Sequence, residues 1–304
     1  AVLYADNISV TPTSTNDPTI AGSANFNQEN YIFSYGTGDL TVNRRAAQII
    51  ASAQEKDYGD VHNLGDIAFT VVDRDGGALP NGETVNAVTL VSADGINAST
   101  DANAVLYADN ISVTPTSTND PTIAGSANFN QENYSFSYGT GDLTVNRRAA
   151  QIIASAQEKD YGDVHDLGDI AFTVVDRDGG ALPNGETVNA VTLVSADGIN
   201  ASTDANAVLY ADNISVTPTS TNDPTIAGSA NFNQENYTFS YGTGDLSITA
   251  APLTITADSD TKVYGAIDPA LTYSITGFVN SDAESDLDIG VTISRVAGET
   301  VGDY

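Results

Sequence analysis

The 304 residues contain no cysteine, no tryptophan and no methionine. Without thiols neither a disulfide framework nor a thiolate metal site can form, and any core must be built from aliphatic side chains with Tyr and Phe. That absence does not fix a compartment. Basic residues are scarce as well: ten Lys and Arg face forty Asp and Glu, giving a net charge of −30 and a pI near 4.1. A field of that sign repels phosphate backbones and anionic lipid headgroups, so nucleic acid and membrane insertion are not expected. No apolar run reaches the roughly 20 residues of a membrane-spanning helix. No leader peptide opens the sequence, which already starts inside a repeat and so reads as a segment of a longer chain.

What the sequence has is repetition. Tyr4, Tyr107 and Tyr210 occupy equivalent positions, 103 residues apart. Residues 1–103 and 104–206 differ only at Ile32 against Ser135 and Asn63 against Asp166. A third copy keeps the text to Leu246 except for Thr238 at the position of Ile32 and Ser135, and then diverges, yet Tyr264-Gly265 still falls at the position of Tyr161-Gly162. A period this long marks an array of domains, and a unit of about 100 residues can bury its own core. In this frame residues 44–146 and 147–249 are complete repeats, 1–43 is the C-terminal half of one, and 250–304 is the N-terminal half of a divergent one.

Within a copy the signals are those of strands and turns. Tyr134, Phe136 and Tyr138 alternate with Ser135 and Ser137, the two-residue period of a half-buried strand, and the same text predicts a strand through Tyr31, Phe33 and Tyr35. Gly139 and Gly141 interrupt the run before a second strand from Leu143 to Val145, with Leu40 to Val42 its equivalent. Val2, Tyr4, Ile8 and Val10 predict a strand. Residues 11–18 are a loop by composition, and 21–29 have no clear period. Residues 67–72 and 271–275 read as equivalent strands, 85–91 as one further strand, and residues 73–77, 80–82 and 93–95 as turns. Arg44 to Lys56 reads as helix on propensity. The third copy places Pro252, alternating threonines and Ile255 there, which favours extended chain, so a strand over residues 48–52 is expected in every copy. The fold class is therefore all-β.

A strand, Lys-x-Tyr-Gly, a Leu-x-Tyr-x-Ile strand at residues 271–275, Gly298-Glu299-Thr300-Val301-Gly302-Asp303-Tyr304, and a closing Asn-Tyr-x-Phe-x-Tyr-Gly-x-Gly-x-Leu-Thr-Val together resemble the YGX-type MBG repeat. Such repeats belong to bacterial giant adhesins and filamentous-haemagglutinin-like exoproteins. The likeness spans the chain and is closest over residues 250–304. Residues 44–146 and 147–249 depart from it with Val61-His62-Asn63 or Val164-His165-Asp166 in place of Ile267-Asp268-Pro269, and with a longer excursion over residues 73–83. The resemblance implies a small β-rich, β-grasp-like module, exported and strung into an elongated tandem array. It supplies no catalytic residues.

Candidate chemistry is sparse. His62 and His165, one per copy, lie near no nucleophile motif and read as loop residues. Asp73-x-Asp75-Gly76, repeated at Asp176 and Asp178, begins like a Ca²⁺-binding loop, but Gly77, Ala78 and the missing twelfth-position carboxylate break the pattern. An acidic turn is the plainer reading, with Ca²⁺ the cation these aspartates would take. Asp57 with Asp60, Asp94 with Asp101, and Asp6 with Asn7 and Asp17 are further acidic groupings. The expected function is non-enzymatic: an extended spacer or filament-building unit of a bacterial cell-surface adhesin or extracellular fibre. Its partners would be adjacent repeats, neighbouring fibre subunits or a host or environmental surface. The alternative is a glycan- or surface-binding module that presents its aromatic residues once per repeat.

Overall fold

A computed structural model describes residues 2–10, 30–114, 123–217, 226–288 and 290–303. The loop expected at residues 11–18 and the stretch 21–29 lie outside them. The chain divides into two compact units, Ala1–Asn146 and Arg147–Tyr304. Among the described residues the regular structure is strand, and the helical elements are 3-10 turns of three residues. The chain is all-β, as its patterning predicts. No helix of the β-grasp kind crosses a sheet among these residues; two sheets share a core instead.

In the first unit, strand Arg45–Ala51 is central in a three-stranded sheet, parallel to Tyr134–Gly139 on one side and antiparallel to Phe69–Asp73 on the other. Helix propensity loses here because the strand is hydrogen-bonded along both edges and buries Ala47, Ile49 and Ala51 at a period of two. The chain then passes into a second sheet, ordered Gln54–Asp57, Gly141–Asn146, Leu106–Val113, Leu90–Ser92. Gln54–Asp57 lies parallel to Gly141–Asn146. Two parallel chain segments thus cross between sheets together, one at Ser52-Ala53 and the other at Thr140. At that crossing a Cβ on Gly141 would lie 2.6 Å from the carbonyl oxygens of Ala51 and Ser52, so only glycine fits.

The core between the sheets holds Ile49, Val88, Ile111 and Leu143 with Leu64, Leu90 and Val113 around them. Each large side chain so buried contributes about 1.5–3 kcal/mol of hydrophobic stabilisation. The stretch expected as one strand over residues 85–91 is two, Val85–Ala87 and Leu90–Ser92. Each joins a different sheet, because Val88 between them turns into the core. Residues 147–249 of the second unit repeat this plan strand for strand, with Arg148–Ala154 between Phe172–Asp176 and Tyr237–Gly242 and a core of Ile152, Val191, Ile214 and Leu246.

The flanking segments hold less. In residues 1–43, Val2–Ser9 pairs antiparallel with Thr37–Val42, and both strands are exposed throughout. The strand expected through Tyr31, Phe33 and Tyr35 is not formed. Its equivalents at Tyr134–Gly139 and Tyr237–Gly242 exist as parallel partners of strands 89 residues upstream, and none of the described residues offers residues 31–36 that partner. In residues 250–304, Thr254–Ala257 pairs antiparallel with Tyr273–Thr276, the counterpart of the Arg148–Ala154 and Phe172–Asp176 pair. The same leucine therefore stands in two environments: Leu143 is 0% exposed and Leu40 is 43% exposed.

Leu143→Ala is expected to cost about 2–5 kcal/mol, read by calorimetry in dilute solution as a lowered transition for the first unit. Leu40→Ala is expected to stay within about 0.5 kcal/mol of the parent.

Candidate functional site

The aspartate turns are occupied by the chain's own cations. Asp176 closes strand Phe172–Asp176, and the antiparallel register sets it opposite Ala150, which brings it within reach of Arg148 two residues earlier on the paired strand. Arg148 Nε and Nη2 donate to the two oxygens of Asp176, both at 2.7 Å, and Nη2 also donates to Asp178 Oδ2 at 2.6 Å. In the first unit Arg45 makes the same fork on Asp73 and reaches Asp75 at 2.6 Å. Hydrogen bonds from the Arg45 guanidinium hold the Asp73 carboxyl at about 2, below its usual 3.8, and Arg148 lowers Asp176 in the same way. The candidate Ca²⁺ ligands are thus brought together in each copy, around a guanidinium. The signal that would have found this arrangement is the register, which places Arg and Asp 28 residues apart on one sheet.

A second constellation is the Lys-x-Tyr-Gly turn. Lys56 and Lys159 are buried, and their ammonium groups point at backbone carbonyls. Lys56 Nζ donates to Asp60 O at 3.2 Å, Ile96 O at 2.6 Å and Ser99 O. Lys159 Nζ donates to Asp163 O at 3.2 Å, Ile199 O at 2.8 Å and Ser202 O. Burial pushes both ammonium groups below their usual range, a sign that they serve structure at some electrostatic cost. The turn glycines Gly59, Gly162 and Gly265 all have left-handed φ, 86°, 95° and 79°. In the divergent copy Lys262 keeps the bond to the carbonyl four residues on, Ala266 O at 3.3 Å, and adds Asp268 at 2.6 Å and Glu299 at 2.9 Å. Lysine, turn and left-handed glycine survive where the rest of the text has changed. Sequence reading noted the motif but not the lysine's purpose.

The turn also receives a neighbour. Within the second unit Tyr161 Oη donates to Asp282 Oδ2 at 3.1 Å and Asn280 Nδ2 donates to Thr203 O at 2.9 Å. A Cβ on Gly162 would strike Val279 at 2.7 Å. The divergent segment therefore rests on the Tyr-Gly turn of the copy before it.

The remaining candidates stay apart from any reactive grouping. His62 and His165 are half-buried, with Nε2 at 2.7 and 2.6 Å from Gln54 Oε1 and Gln157 Oε1. Asp57 and Asp60 belong to the turn backbone, Asp94 sits at positive φ in its turn, and Asp101 accepts from Ser99 at 2.8 Å. Asp6 occupies a left-handed bulge position, and Asp17 is outside the described residues. Among the described residues no three or more acidic or histidine side chains gather as a metal site, and no helix is long and apolar enough to cross a membrane. The aromatics pack on one another. Tyr134 stacks on Phe129 and Phe136 at 5.9 and 5.4 Å, and its hydroxyl donates to the buried Glu83 carboxylate. Phe232, Tyr237, Phe239 and Glu186 repeat the arrangement.

Asp176→Asn is expected to destabilise the second unit by about 3 kcal/mol at neutral pH, because it removes the buried carboxylate that accepts two hydrogen bonds from a buried guanidinium. The folded carboxyl titrates below its unfolded value. Its stabilisation is therefore complete above the ordinary aspartate range and is lost as pH falls through the depressed value. The gap in melting temperature between parent and Asp176→Asn should close as pH falls below the ordinary aspartate range and through the depressed value. Adding Ca²⁺ or a chelator at neutral pH should leave the parent's transition unmoved.

The chain matches no curated protein and no solved structure. Residues 253–304, the segment that begins beside Pro252 and carries Lys262, Tyr264 and Gly265, match the family model of the MBG domain (YGX type).

Proposed function

We propose that this chain is a non-enzymatic structural region of a bacterial cell-surface adhesin or extracellular fibre, each 103-residue repeat adding span to an extended array and resisting tension along it. One observation carries the reading. In each complete copy the first strands and the last strands lie side by side and parallel: Arg45–Ala51 against Tyr134–Gly139, and Gln54–Asp57 against Gly141–Asn146. Tension drawn through residues 44 and 146 pulls two parallel neighbours in opposite directions. Their hydrogen bonds are then loaded together in shear and do not open one after another, as they would in a hairpin pulled from its open end. The second copy has the same arrangement.

Other features support a role in span. The buried side chains, the arginine fork and the lysine turn all serve the module's own cohesion. Copies that are nearly identical in text suit a chain whose length matters more than the chemistry of any one unit. The strongly acidic balance keeps neighbouring modules from associating face to face. MBG similarity in residues 253–304 suits an exported surface protein. A glycan-binding alternative has less behind it, since the repeated aromatics Tyr134, Phe136 and Phe129 stack on one another.

Force spectroscopy on the whole chain tests this. Two abrupt unfolding events are expected, each releasing roughly 340–370 Å of contour length less the folded span, for 103 residues at about 3.3–3.6 Å each. A gradual, low-force extension without discrete steps would remove the tension-bearing role.

A further inference from the structure

Each complete copy leaves one edge of its three-stranded sheet open. In the first copy strand Phe69–Asp73 pairs with Arg45–Ala51, and among the described residues no strand pairs with its other side. Ser52 N donates to Ala68 O at 2.9 Å and Arg74 N donates to Ala46 O at 3.1 Å. Hydrogen-bonded residues alternate along an antiparallel ladder. Thr70 and Val72 therefore bond to the central strand, while Phe69, Val71 and Asp73 direct their backbone groups outward. The chain closes both ends of that outward edge itself. Phe69 N donates to Ile67 O at 3.0 Å, Asp73 N donates to Gly77 O at 3.0 Å, and Asp73 O accepts from Gly76 N at 2.8 Å. Between these ends no described residue bonds to the Val71 N–H or C=O. Strand Phe172–Asp176 repeats the pattern around Val174, with Phe172 N donating to Ile170 O at 3.0 Å and Asp176 N to Gly180 O at 3.1 Å.

The side chains along this edge depart from the acidic character of the molecule. Residues 67–72, Ile-Ala-Phe-Thr-Val-Val, carry no charge, no proline and no glycine in a chain of net charge −30, and residues 170–175 have the same text. Ile67 is 74% exposed, and Thr70 is exposed as well. Asp66 stands just before the run and Arg74 just after it, both exposed. Natural proteins ordinarily blunt an open edge with charge, proline or a bulge. The edge strand of the other sheet follows that rule, since Gln54–Asp57 carries Glu55 and Asp57. Phe69–Asp73 leaves its middle unguarded.

We propose that this edge pairs with its counterpart on a second copy of the chain, antiparallel across a two-fold axis centred on Val71 or on Val174. A residue that offers one donor and one acceptor is self-complementary: two of them exchange both bonds as the hydrogen-bonded pair of an antiparallel ladder. The flanking donors Phe69 N and Asp73 N are already engaged, so a longer strand of another protein gains no ladder bond that a second copy lacks. Charge selects the same occupant. The two-fold turns the Arg74 end of each edge towards the Asp66 end of the other, while Asp73 and Asp75 are held by Arg45. The neutral run between those ends lets two strongly acidic chains approach without like charges facing across it. The two sheets then continue as one across two molecules. Each chain carries the edge twice, so the contact joins arrays side by side, a role separate from span along the chain.

Sedimentation velocity of the full chain across a concentration series tests the pairing, at about 0.5 M salt, where the Debye length is roughly 4 Å and the general repulsion is screened. Wild type should self-associate reversibly, and the amides of residues 67–75 and 170–178 should exchange their hydrogens more slowly as concentration rises. In the two-fold register Thr70 lies opposite Val72 of the second copy and diagonal to that copy's Thr70, on the solvent face. Thr70→Glu combined with Thr173→Glu should keep the parent's thermal transitions and weaken association about tenfold, because it sets like charges side by side. A labelled sample of that variant, sedimented with an excess of the Thr70→Lys, Thr173→Lys chain, should pair again. A wild type that stays monomeric at every concentration overturns the proposal. So does association that the glutamate pair leaves unchanged, or a mixture of the two variants that fails to pair.

Discussion

Everything in the complete module depends on one long-range contact, the parallel pairing of the strands that open a copy with the strands that close it. Parallel pairing needs a long crossover, and here the whole body of the module supplies it. Around this pairing the two sheets share a core, because both partners pass from one sheet to the other at the same level. The glycine at that crossing is therefore a requirement of packing. Where the pairing is absent, as at Tyr31 and around residues 260–263, the same kinds of residue form no strand.

Polar groups secure what the pairing assembles. The arginine fork ties the central strand to the turn that follows its antiparallel neighbour, and the lysine ammonium draws backbone carbonyls of two separate loops around one point. Both consume cations in a chain that has only ten. In a molecule with so large an acidic excess, placing Arg148 and Lys159 in the interior withdraws two of its few positive charges from the surface. The acidic surface and the internal cations are two aspects of one allocation of charge.

Much of this was legible in the residues. The alternation of Tyr134, Phe136 and Tyr138 announced a strand, and Pro252 with Ile255 in the third copy corrected the helical propensity of the arginine-paired segment. What stayed hidden was non-local. No local pattern shows that Arg45–Ala51 takes its partner 89 residues on, nor that Arg148 stands beside Asp176 because of an antiparallel register. The Asp-x-Asp turn accordingly looked like a cation site, and the cation proved to be a side chain from another strand. Residues 85–91 read as one strand because a smooth apolar run conceals the point at which Val88 leaves the sheet. Tyr31, Phe33 and Tyr35 show the converse: pattern alone does not make a strand where no strand among the described residues pairs with it.

The order in which a copy is completed has a kinetic side. A chain that emerges from the ribosome or through an export channel amino end first presents Arg148–Ala154 long before Tyr237–Gly242 can reach it. At about 5–20 residues per second that wait is roughly 5–18 s. Throughout it the nascent edge is open, and the adjacent strand of matching text, Tyr134–Gly139, is already claimed by the copy before. Sequential emergence therefore protects near-identical neighbours from exchanging strands, since each closing strand finds its own opening strand still vacant and every earlier one filled.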